Sequence, residues 1–373
     1  EDGWTTGLGR LPQAQLVLVF ASPELLAEPS PCLADLAKAY PAATLVGCST
    51  AGEIEDVQVL DASIVATAVH FERTRIQVLV EPIAHAEESA EVGTRLARRL
   101  LAPDLRHVFV LSEGLRLSGS DLVRGLCHGL PAGIAVTGGL SGDGTRFERT
   151  WVMAGGHPAP NQVIGIGFYG SAIRVGYGSL GGWDAFGPKR KITRSVGNVL
   201  YELDGRSALG LYKSYLGSHA AALPLSALRF PLLVTLPGGE SVVRTVLSVD
   251  ETTQSMTFAG DVPEGTYAGL MSANIDRLVE GAAGAARASV EGQGSTGVEL
   301  AILISCVGRR LVLHQRVEQE VEAVRDILGA GTALTGFYSY GEISPLKPGT
   351  CCELHNQTMT ITTFHEDEVD RAA

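Results

Sequence analysis

Apolar residues in this chain follow two rhythms. Short unbroken runs rich in β-branched residues, AQLVLVFA at 14–21, HVFVLSE at 107–113 and LAILISCVG at 300–308, predict strands covered on both faces. ASIVATAVH at 62–70 and IQVLVEP at 76–82 predict two more strands joined by a turn. Between these runs the apolar period lengthens to that of a helix. PSPCLADLAKAY (29–40) opens with a Ser-Pro start signal, and EESAEVGTRLARRLL (87–101) carries acids in its first turn and arginines in its last, which matches the helix dipole. GSDLVRGLCHGL (119–130) predicts a helix, with Ser118 and Ser120 at its start as N-capping residues. VEQEVEAVRDILG (317–329) predicts another, with Val317, Val321, Val324 and Leu328 as its apolar stripe and Gly329 as its stop.

The middle of the chain reads differently. AVTGGLSGDG (135–144) predicts a glycine-rich turn, and WVMAG, QVIGIGFYG and IRVGYGSLGGW, with no helix between them, predict antiparallel hairpins. GWDAFGPKRKITR (182–194), which holds the one dense basic cluster, predicts a surface connection, and VGNVLYELDGRSALGLYKSYLG (196–217) a helical region. Strands follow at FPLLVTLP, VVRTVLSVD and SMTFAGDVPEG, then a long alanine-rich helix over TYAGLMSANIDRLVEGAAGAARAS (266–289). The fold expected is mixed α/β (α+β), two related lobes of mixed sheets covered by helices. The lobes would span 10–195 and 196–366, ahead of a flexible acidic tail at 367–373.

An internal echo supports related lobes. TLVGCSTAGEI (44–54) and TALTGFYSYGEI (332–343) place Gly47 with Gly336, Gly52 with Gly341, Glu53 with Glu342 and Ile54 with Ile343, and set Thr50 opposite Ser339. In one half this loop comes first and in the other last, so the repeat reads as permuted. An acidic residue after a glycine at the mouth of a strand builds a turn or lines a pocket.

Charge narrows the partners. A net charge of −12 over 373 residues gives no positive field for nucleic acid. No apolar run reaches the roughly 18 residues of a membrane span, and no leader opens the chain, so a cytoplasmic protein with no membrane association is expected. Six cysteines, at 32, 48, 127, 306, 351 and 352, show no CxxC spacing and are expected as reduced thiols. TGGLSGDG lacks the Walker and GxGxxG spacings, GxSxG and HExxH are missing, and Glu53 and Glu342 have no neighbouring carboxylate to form an acid pair, so no enzyme activity is expected. Cys48 as a nucleophile would need a base brought to it by folding. His314, where a strand gives way to a helix, and His355, entering the last strand, could each be an axial haem ligand, since a porphyrin supplies the other four positions. Arg309, after a buried strand, is placed for a propionate or carboxylate.

At GCSTAGEI, TGGLSGDG, ISCVGRR, GFYSYGEISP and LHNQTMT the chain resembles the FIST family of bacterial sensory modules, over about Gln15 to Phe364. Within it the chain is most similar to the stand-alone nitric-oxide-sensing haem branch, NosP, through ITRSVGNVLYELDG, ISCVGRRLVLHQRVEQE and CELHNQTMTITTF. The resemblance implies a sensor of nitric oxide with haem b on His355, or alternatively His314, beside Arg309, Tyr338 and Tyr340. Its output would pass to a histidine kinase or cyclic-di-GMP enzyme, and a homodimer stays open. The alternative is a FIST module that binds a small metabolite such as an amino acid without haem, in a pocket made by Cys48, Ser49, Thr50, Glu53, Ser339, Glu342 and Asn356.

Overall fold

Parallel strands need a crossover, and this chain builds the same one three times. In the first unit the buried strand Leu16–Ala21 passes through helix Pro31–Ala39 to the parallel strand Thr44–Ser49, and Ile64–Val69 pairs antiparallel on its other side. In the second, Leu105–Ser112 passes through helix Gly119–Gly129 to Ala135–Leu140, with Gln162–Tyr169 antiparallel. In the third, Leu300–Cys306 passes through helices Val307–Leu313 and Glu318–Leu328 to Ala333–Ser339, with Met359–Glu366 antiparallel. The computed structural model of the chain describes residues 9, 11–27, 30–291 and 297–367, so the expected tail lies outside the described residues apart from Asp367.

The units are locked by exchange. After its parallel strand each unit sends a short strand into the next sheet: Glu53–Glu55 onto Ala333–Ser339, Gly341–Pro345 onto Ala135–Leu140, and Val152–Ala154 onto Thr44–Ser49. Three backbone bonds repeat that cycle at the loops. The Ala51 amide donates to Tyr338 O (2.8 Å), the Tyr340 amide to Leu140 O (3.2 Å) and the Gly142 amide to Ser49 O (3.0 Å). The sheets enclose one apolar core, in which Leu18, Phe20, Phe109, Ile166, Ile304 and Phe337 meet. Their outer faces are buried by the helices.

The mixed α/β fold and the related units are therefore present. The repeat seen at Gly47–Ile54 and Gly336–Ile343 has a third copy at Gly138–Asp143, and all three follow one order of parts. Two outer elements precede the second unit's first strand, strand Arg75–Pro82 and helix Ser89–Leu100. Their counterparts in the third unit, strand Ile173–Leu180 and helix Ile275–Val290, are separated in sequence by an insertion. That insertion, 184–272, has its own eight-stranded sheet and its own core, including Ile192, Leu200, Leu209, Val234, Met256 and Phe258. It produces the apparent permutation. The boundary expected near Ser195 falls inside strand Asp184–Val196.

Several elements differ from expectation for identifiable reasons. AVTGGLSGDG begins as strand Ala135–Leu140, not a turn, because its glycines fit under the neighbouring strand. A Cβ on Gly138 would lie 1.9 Å from Val110 O, and those on Gly47 and Gly336 1.7 Å from Val19 O and 1.9 Å from Leu303 O, the matching sites of the other units. Gln162–Tyr169 and Ile173–Leu180 lie in different sheets and form no hairpin. GWDAFGPKRKITR is strand, polar because the sheet of the insertion leaves most of its side chains solvated. VGNVLYELDG opens with strand Val199–Leu203 before helix Ala208–Leu216, and TYAGLMS is strand Tyr267–Ser272 before a helix capped by Asn274. The cysteines are not all reduced: Cys127 and Cys351 form a disulfide, while Cys32, Cys48, Cys306 and Cys352 are free. Topology joins the first pair from positions 224 apart in sequence.

If close approach at these glycines sets the interstrand packing, Gly47→Ala and Gly336→Ala will each destabilise the chain by about 1–3 kcal/mol in urea unfolding, the usual range for overpacking a core. Exposed Gly238→Ala, with nothing within 4 Å of the added carbon, will stay close to wild type.

Candidate functional site

Each unit carries a carboxylate just after its parallel strand, Glu53, Asp143 or Glu342, and each is taken up by hydroxyls or amides around it. Glu53 is buried and accepts the hydroxyls of Ser22 (3.0 Å), Ser63 (2.7 Å) and Thr50. Glu342, also buried, accepts from Ser339 Oγ (2.7 Å), Thr358 Oγ (2.8 Å) and the Thr358 amide (3.2 Å). Asp143 accepts the amides of Phe147, Glu148 and Arg149 and the hydroxyl of Tyr340. Burial pushes Glu53 upward and Glu342 up to about 8, against the hydrogen bonds that favour the charged form. Ser49 accepts the Trp151 amide (2.9 Å), and Cys48 points into the apolar core, where burial pushes its thiol well up. Asn356 donates to His355 O (2.9 Å), but its Oδ1 is buried without a partner. The expected ligand-pocket residues are thus gathered pairwise, Thr50 with Glu53 and Ser339 with Glu342, in polar knots that close the loops; none of the seven lines a cavity among those described.

The residues expected around haem do not converge. Arg309 is wholly buried and spends its guanidinium on Glu320 (2.7 Å), Leu278 O (2.8 Å) and Gly181 O. Tyr338 donates to the same Glu320 (2.7 Å). The His355 ring is buried with Nε2 2.9 Å from Ser344 O, and burial pushes its pKa down to about 4. His314 sits on the surface, where a short helix turns over at a positive φ of 52°. Neither histidine lines a cavity among those described. The side chains present do not fit a haem held as the resemblance implies.

A different place is open. A cavity of about 630 Å³ lies where the insertion meets the second and third units. The units contribute Leu115, Leu117, Ser118–Asp121, Leu140, Tyr340 and Cys306–Gly308; the insertion contributes Asn198, Leu223–Leu225, Leu228 and 245–247 with 258–261. The walls are mainly aliphatic, with Phe147 stacked on Tyr340 at 4.6 Å between ring centroids, and no Lys or Arg lines them. Thr245 is only 5% exposed, lines this cavity, and its hydroxyl has no partner in the protein. Burying a hydroxyl unpaired is unfavourable, a cost that a bound polar group reaching it would offset. The walls are tied together at one edge, where the Asp261 amide donates to Ser120 Oγ (3.1 Å), Arg124 pairs with Asp261 (2.9 Å), and buried Arg244 bridges Asp261 O (3.0 Å) and Leu354 O (2.8 Å).

Of the residues expected at a site, only Tyr340 reaches this cavity. Ser118 and Ser120 were legible in sequence as a helix start, and Ser118 does cap its helix through the Asp121 amide (3.2 Å). Thr245 and the leucines of 223–228 carry no motif, because they meet the site only through the insertion. A second cavity, about 450 Å³, contains His70 and His365, but its Glu366 is already taken by the Glu72 and Arg73 amides and the Thr74 hydroxyl. Among the described residues no helix is long and apolar enough to cross a membrane.

The Glu342 knot gives a pH test. From about pH 4.5 to about 8 the folded chain holds a proton there that the unfolded chain releases. Stability therefore falls as pH rises through that window, by at most about 1.4 kcal/mol per pH unit. Glu342→Gln, whose amide can face Ser339, will flatten this slope in denaturant titrations across the window and will be relatively most stabilising near pH 8.

The comparisons with known proteins bear on the whole chain. No curated protein matches it. Two solved structures align over 79% of this chain and 100% of theirs: a cyanuric acid hydrolase from A. caulinodans at 10% identity, and a cyanuric acid hydrolase described as an evolutionary innovation by structural concatenation at 12%, each with a TM-score of 0.20. The FIST N domain model matches residues 15–206 and the FIST C domain model residues 208–345, the junction lying in the insertion. FIST domains are signal-sensing modules of signal transduction, and this chain belongs to the FIST family.

Proposed function

We propose that this FIST chain senses a small amphipathic molecule held in the cavity between the three-unit core and the insertion, and passes that state to a partner signalling enzyme, a histidine kinase or a cyclic-di-GMP enzyme. The observation that carries the reading is the buried, unpartnered Thr245 hydroxyl in a mainly aliphatic cavity of about 630 Å³. An apolar body would cover the leucines, and one hydrogen-bonding group would meet Thr245. The uncharged and acidic lining favours a neutral or cationic head group over a carboxylate. A ligand that touches both walls binds best when they are docked, so it shifts the population of docked and undocked arrangements, and that shift is the signal. Haem with nitric oxide is the reading this geometry supports less, since neither His355 nor His314 faces a cavity.

A thermal-shift screen separates the two. Small neutral or cationic amphiphiles are expected to raise Tm in haem-free protein, with the gain growing with ligand concentration. Ala259→Trp, which fills the cavity from the insertion side, will abolish the gain while preserving the fold by circular dichroism. If no compound stabilises the chain, and haem binds with a Soret band that His355→Ala or His314→Ala removes, the cavity reading fails and the haem reading stands.

A further inference from the structure

Three sulfurs meet at a junction that the sensory reading does not use. Cys127 lies in the last turn of helix Gly119–Gly129 in the second unit, while Cys351 and Cys352 stand at the start of strand Cys352–His355 in the third. Neighbours within a strand point to opposite faces, but Cys351 precedes the strand, which leaves its side chain free to turn toward its neighbour's. All three Sγ atoms lie within 4.8 Å of one another, and Cys127 Sγ is 3.5 Å from Cys352 Sγ. Among the described residues this is the one such convergence of three His, Cys, Asp or Glu ligand atoms.

We propose that Cys127, Cys351 and Cys352 form a three-thiolate site for a soft metal ion, with Zn²⁺ as the type case, and that the Cys127–Cys351 disulfide is its closed, metal-free state. A zinc ion about 2.3 Å from each sulfur holds tetrahedral sulfurs roughly 3.8 Å apart, close to the separation of Cys127 and Cys352. A thiol reductant delivers two electrons and two protons to the disulfide and is itself oxidised to a disulfide. Cys127 and Cys351 then separate to non-bonded distance, which is the spacing the ion requires. Binding one Zn²⁺ displaces one proton from each of the three thiols. Burial pushes the Cys352 thiol up to about 12, so without a metal it stays protonated and inert. The ion supplies the positive charge that lets it ionise. Cys351 is exposed, Cys127 half-buried and Cys352 buried, which gives the ion a path from solvent and leaves its fourth position to water.

The test uses the full chain. Protein reduced with a phosphine under anaerobic conditions is titrated with Co²⁺, then loaded with Zn²⁺, desalted and assayed for metal. We expect thiolate-to-cobalt absorption saturating at one equivalent, about one zinc per chain, and near-complete loss of both after diamide takes two electrons and two protons to re-form the disulfide. Cys127→Ser and Cys352→Ser should each weaken binding at least tenfold, while Cys32→Ser binds as wild type. X-ray absorption of the zinc-loaded wild type keeps the test decisive if a variant does not fold: three sulfur neighbours near 2.3 Å are expected. No cobalt–thiolate band in the reduced chain, equal binding by the Cys127 variant, or fewer than two sulfurs around zinc would overturn the site.

Discussion

The fold depends on a closed cycle of backbone bonds. No unit completes its own sheet, because each parallel strand is flanked on one side by a short strand from another unit. The amides of Ala51, Gly142 and Tyr340 repeat that exchange in the loops that lead into the short strands. An unpaired inner strand edge would leave buried amides and carbonyls without partners, so the units stabilise one another or not at all. The carboxylates follow from this constraint. A chain that leaves a strand and immediately enters a neighbour's sheet must turn sharply while buried, and Glu53, Asp143 and Glu342 supply acceptors for hydroxyls and amides that water cannot reach.

Much of this was legible in the sequence, and what was not has physical causes. Buried parallel strands announce themselves as unbroken apolar runs, so 14–21, 107–113 and 300–308 were readable, as was the register of Gly47 with Gly336. The third copy was obscured because Gly138 and Gly139 look like a turn, and only the approach of Val110 explains glycine inside a strand there. The polar strand Asp184–Val196 carries no alternation, since a largely solvated surface imposes none. Cys127 and Cys351 could not be paired from spacing, because their meeting is a consequence of topology.

The site shows the same division. Polar residues clustered near glycines drew attention to the loops, yet their hydrogen-bonding capacity is consumed by the turns they make. Arg309 illustrates the point: an arginine after a buried strand is well placed for a ligand carboxylate, but Glu320 from the next helix meets it first. The open surface lies instead where the insertion covers the core, built from aliphatic residues without a motif and one hydroxyl left unpaired.

The central claim is that ligand joins the insertion to the core. Hydrogen–deuterium exchange, with and without the most stabilising compound of the thermal screen, tests it most directly. The account predicts slower exchange together at 114–121 on the core side and 245–261 on the insertion side. Protection confined to the loops around Glu53 and Glu342, or to the surroundings of His355, would contradict it.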